Sequence, residues 1–126
     1  MSFDRPHKEE LISAVREFLQ DKLMPELSGH LKFNTLVAIN VLKIVERELD
    51  LGPEIIAEES VRLRALLSEN QSGTGELEQI LCDQIDAGNF SYADEKLLET
   101  LWQTTMAKLS VDNPKYAAYQ DELNKK

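Results

Sequence analysis

Cys82, His7, His30 and the glycine pair Gly73 and Gly75 are the residues with most scope for chemistry, and their surroundings argue against it. A thiol nucleophile needs a base or a positive neighbour to hold it as thiolate. No histidine lies near Cys82 in sequence, and Asp83 beside it disfavours the thiolate. Cys82 sits one position off the line of Leu77, Leu81 and Ile85, where a free cysteine reads as a small hydrophobe flanking the core. A zinc site takes three or four Cys or His ligands, and one cysteine with two histidines does not supply them. A bundle-type di-iron site wants paired Glu-x-x-His segments, and Leu27 stands three residues before His30. A phosphate loop requires a lysine and a hydroxyl residue directly after its second glycine. Glu76 follows Gly75 instead and would repel phosphate. The sequence therefore predicts no catalytic residues, no metal and no cofactor.

The remaining candidates are polar and aromatic residues set into apolar stripes. Asn40 shares a helical face with Phe33, Val37 and Ile44, where its amide needs partners or costs free energy. A hydrogen bond that fixes helix register and contact with a ligand are the two readings of it. Thr105 lies beside Trp102, Met106 and Leu109. Trp102 reads as a core or interface anchor whose indole N–H seeks an acceptor, and Met106 as gap-filling core. Tyr116 and Tyr119 form either a packed clasp at the end of the chain or a partner surface.

The elements that would position these residues are helices throughout. Leu11, Val15, Phe18 and Leu19 make the first stripe, from a start near Pro6 to a stop at Pro25. A second helix, about 31–51, has no charge from Phe33 to Leu42, the mark of a core-central or interface helix. Gly52 then Pro53 predicts a stop and a restart. The third helix, about 53–68, carries Ile56, Leu63, Leu66 and Leu67 inward, with Glu58, Glu59, Arg62 and Arg64 mostly outward. A polar loop over 68–75 leads to a fourth helix capped by Thr74 and ended by Gly88. Ser91 and Asp94 have capping-box spacing before a fifth, bearing Leu97, Leu98, Leu101, Trp102, Met106 and Leu109. A short final helix holds Tyr116, Tyr119 and Leu123. No segment of useful length alternates with period two. The expectation is an all-α, compact single-domain bundle of five to six helices over residues 1–126, with 1–5 and 120–126 loosely ordered.

Bulk composition narrows the partners. The 126 residues carry 23 acids against 14 bases, a net charge of −9, which repels phosphate backbones and anionic headgroups. Nucleic acid and membrane are therefore not expected partners. The first ten residues lack the apolar run of a signal peptide, no apolar stretch approaches membrane-spanning length, and a single cysteine suits a reducing compartment. A cytoplasmic location follows as the expectation.

Three blocks of residues carry a resemblance. The first is Arg5 and Pro6, then Ala14 to Leu19, then Met24 and Pro25. The second runs from Phe33 through Val37, Ala38 and Asn40 to Ile44–Leu49, Gly52 and Pro53. The third is Ala107 to Leu109, then Asp112 to Pro114, then Tyr116. In this order they resemble an uncharacterised bacterial family of short helical proteins, a domain of unknown function, over about 5–119. Members of that family tend to be encoded beside aminoglycoside-phosphotransferase-like proteins and acyl-CoA dehydrogenases. The resemblance thus implies a non-catalytic adaptor or accessory partner of a phosphotransferase-like or acyl-CoA-metabolising enzyme. The alternative is a small-molecule binder holding an acyl or aromatic ligand in a pocket near Asn40 and Trp102. Homodimerisation through the second or fifth helix is compatible with either.

Overall fold

The computed structural model describes residues 4–68 and 73–125. Among them the chain is all-α, without a strand: α1 (Lys8–Glu17), α2 (Gly29–Leu67), α3 (Thr74–Asp86), α4 (Glu95–Asp112) and α5 (Ala117–Leu123). A π-helical stretch, Phe18–Leu23, and a 3₁₀ turn, Met24–Glu26, connect α1 to α2. The chain divides into two compact units, the first ending at Gly52 and the second beginning at Pro53.

The predicted stop at Gly52 and Pro53 does not occur. α2 runs through both residues for 39 positions. A glycine that ends a helix adopts positive φ, as Gly88 does at +79°, and Gly52 does not. Pro53 fits helical φ, so it costs the helix a hydrogen bond to the Leu49 carbonyl rather than its path. The pair therefore marks the boundary between units rather than the boundary between helices.

In the first unit α1 starts at Lys8, two residues later than Pro6 suggests. Its N-cap is His7, whose N–H donates to Glu10 Oε1 at 3.2 Å, and Glu10 also accepts from Arg5 at 2.8 and 3.1 Å. α1 runs antiparallel to the first half of α2. Ser13 Oγ donates to Glu46 at 3.1 Å, Arg16 pairs with the same carboxylate, and Glu9 and Asp50 flank the cleft beside them. The stripe expected to be core faces out: Leu11, Val15 and Phe18 are exposed. Ile39 is the buried hydrophobic residue of this unit among the described residues.

The second unit holds the larger core. Leu63 of α2, Leu77 and Leu81 of α3 and Leu97 of α4 form one buried cluster, with Leu66, Leu67 and Phe90 packed against it. α3 begins after Gly73 as N-cap, so Thr74 is helical rather than the cap. Its end is a Schellman turn: Asn89 N–H donates to Gln84 O, Gly88 N–H to Ile85 O, and Gly88 is left-handed. α4 is capped by Asp94, whose carboxylate accepts from Lys96 and Leu97 N–H at 3.0 and 3.1 Å. Ser91 instead accepts from Ala93 N–H in the preceding turn, so the cap falls three residues later than the capping-box spacing suggests. Of the polar loop over 68–75, residues 69–72 lie outside the described residues.

Candidate interaction surfaces

α4 carries two apolar lines, and the structure separates them. Leu97, Thr100 and Val111 are buried. Leu98, Leu101, Trp102 and Thr105, at spacing i, i+3, i+4, i+7, are all exposed, Trp102 at 47%. Leu98 and Leu101 do not join Leu97 in the core, and of the two readings of Trp102, core or interface anchor, its exposure leaves the second: the helix has more apolar residues than one buried face can hold, and Leu97 takes the inward position. Thr105 Oγ1 donates to Leu101 O at 2.9 Å, so its hydroxyl is satisfied within the helix.

Beside this stripe lies an open trough between α2 and α4. One part, about 430 Å³, is lined by Ala65 and Leu66 with Lys96 and Glu95 at its rim. The other, about 590 Å³, is lined by Trp102, Met106 and Leu123 of α5, with Glu58, Glu99 and Glu122 around it. Arg62, Glu99 and Gln103 border both. Arg62 Nε and Nη2 are buried without a hydrogen-bond partner, which costs about 1–3 kcal/mol per unmet group. The structure therefore brings Trp102 and Met106 to one surface. Tyr116 is the exposed N-cap of α5, and Tyr119 is half-buried on that helix.

Asn40 belongs to the first unit and does not line this trough. It is exposed rather than buried, and so are its neighbours Phe33, Leu36, Val37 and Val41. The uncharged run of α2 is therefore not core-central over 33–41, apart from Ile39.

Two ionisable sites sit between helices. Glu46 is held below the usual carboxylate range by hydrogen bonding from Arg16, with Ser13 assisting and partial desolvation opposing. Glu59, read from sequence as outward, is 9% exposed. Desolvation pushes its carboxyl up, and a hydrogen bond and charge repulsion from Glu78 push the same way. Lys108 and Arg62 oppose them. The sequence contains a signal for this burial: Glu59 precedes Leu63 by four and Leu66 by seven, so it continues their line. Cys82, expected at the core margin, is exposed. Among the described residues there is no group of three or more His, Cys, Asp or Glu that could hold a metal, and no helix long and apolar enough to cross a membrane.

Comparison with curated proteins and with solved structures finds no match. A family model does match, over residues 25–116, which takes in all of α2, α3 and α4. These are the helices that build the leucine cluster and the trough, and the chain belongs to the family described as Domain of unknown function (DUF6285).

Proposed function

We propose that this is a non-catalytic accessory protein of the bacterial cytoplasm, docking a partner enzyme through the exposed stripe of α4. The observation that carries the reading is the solvent-facing run of Leu98, Leu101, Trp102 and Thr105 on one side of a single helix. An i, i+3, i+4, i+7 set with a tryptophan at its centre is the pattern by which helices anchor in a partner's groove. Glu58, Glu99 and Glu122 border the adjoining trough, so the matching segment carries basic residues around an apolar anchor. The resemblance points to a phosphotransferase-like or acyl-CoA-metabolising enzyme as that partner.

The test is direct binding of purified host enzymes of these two classes, read by calorimetry with wild-type chain and with Trp102→Ala. Loss of a central aromatic anchor costs about 2 kcal/mol or more, a weakening of roughly 30-fold. Binding that ignores Trp102→Ala, or no binding by either class, rejects the reading.

A second reading keeps the trough as a small-molecule site for an acyl or aromatic ligand. Its support is that Trp102, Met106 and Leu123 wall a cleft bordered by Arg62, whose unmet donors suit a carboxylate or carbonyl oxygen. Arg62→Met separates the two readings: it weakens binding of a fatty-acid or aryl-carboxylate probe and leaves docking at Trp102 intact.

A further inference from the structure

The first unit is short of cover. Ile39 is its buried hydrophobic residue, while Leu11, Val15 and Phe18 of α1 and Leu31, Phe33, Leu36, Val37 and Val41 of α2 stand exposed among the described residues. Exposed apolar surface on this scale marks an interface. What covers it is constrained by three features of α2.

The first is spacing. Phe33, Val37, Asn40 and Ile44 follow one another at intervals of four, three and four, which is the seam of two helices packed at a shallow angle. The second is the amide at the centre of that seam. Asn40 is exposed, and covering it with an apolar partner surface would strand both its donor and its acceptor. An identical amide opposite it supplies one of each. The third is charge. From Leu27 to Val45 the chain has no acidic residue, although it holds 23 acids in all. Two copies of a −9 chain repel over most of their surface and approach here without opposed carboxylates.

We infer that a second copy of this chain covers the first half of α2, in a two-fold pairing whose axis passes beside Asn40. The seam then buries Phe33, Val37 and the exposed edge of Ile44 from both copies, and the two Asn40 amides hydrogen-bond each other. Self-complementary pairing of this kind is the commonest form of oligomer. The interface lies on the first unit and the α4 stripe on the second, so either assignment stands or falls without the other.

Sedimentation equilibrium of the full chain tests this, together with one charge variant and one cysteine variant. The wild type is expected at twice the 14.4 kDa of a single chain. Val37→Glu places like charges across the axis and is expected to raise the dimer dissociation constant by about 100-fold or more. Its circular dichroism should be unchanged, because Val37 is exposed in the single chain. Asn40→Cys, made with Cys82→Ser so that one thiol remains, is expected to give a disulfide-linked dimer on mild oxidation. A wild type that stays at single-chain mass up to its solubility limit overturns the proposal. A dimer that is indifferent to Val37→Glu, or that does not cross-link at position 40, overturns it equally.

Discussion

Glu59 of α2 is buried beside Glu78 of α3, which is exposed, and the Glu59 carboxyl is held above its usual range. Burial is the larger cause, and the neighbouring Glu78 carboxyl adds to it.

Glu59 makes stability fall as pH rises. A carboxyl whose folded pKa is raised contributes stability that is fully present below its unfolded value and lost as pH climbs through the folded one. Glu59→Gln keeps the position neutral and retains a donor toward Glu78. We expect this variant to match the wild type in acid and to exceed it in melting temperature at higher pH. Melts taken upward from about pH 4, near the ordinary glutamate value, follow the divergence. A difference that does not vary with pH would show that Glu59 is not the titrating group.

Glu46 imposes the opposite slope. Its pKa is depressed, chiefly by the Arg16 hydrogen bond, so its contribution exists above the unfolded value and disappears as pH falls through the folded one. Both side chains are about four-fifths covered, which limits solvent screening. Glu46→Gln is expected to cost about 1–2 kcal/mol in urea denaturation at neutral pH. The cost should vanish at a pH where Glu46 of the wild type is protonated. A variant as stable as wild type at neutral pH would mean that the pair contributes nothing.

The all-α class, the end of α3 at Gly88 and the Leu63, Leu77, Leu81 and Leu97 positions were legible in the sequence, because period, glycine and stripe agree there. Which of two adjacent stripes turns inward was not. On α4 both Leu97 and Leu98 continue apolar lines, and tertiary packing against Leu63 and Leu81 decides between them. Glu59 shows the converse: a charge on the inward line was read as outward by type alone, although its register placed it with Leu63. Trp102 and Met106 were readable as one cluster from their spacing. Asn40 could be assigned to a face but not to burial, since periodicity does not say whether anything covers that face.

Leu77 tests the weight of the second core. It is fully buried at the centre of the leucine cluster, so Leu77→Ala should cost about 2–5 kcal/mol. Tyr92, 92% exposed, is the control, and Tyr92→Ala should stay within about 0.5 kcal/mol of wild type. Urea unfolding of the two variants gives the comparison. Equal effects would mean that the cluster does not carry the stability of this unit.

Gly52 and Pro53 offer the sharpest test of the helix path. In a continuous α2, proline forfeits a hydrogen bond and glycine carries excess backbone entropy in the unfolded chain. Pro53→Ala should therefore stabilise by about 1–3 kcal/mol and Gly52→Ala by about 0.5–1 kcal/mol. A Cβ at Gly52 meets Glu48 Cγ at 3.8 Å, an ordinary contact, so no clash offsets the gain. Were the chain to stop at Gly52 and restart at Pro53, both signs would reverse. Alanine would be strained in the left-handed turn, and proline would be the favoured first residue of the new helix. Thermal and urea unfolding of the two single variants thus reads the path of α2 directly: two gains establish one helix, and two losses establish the break.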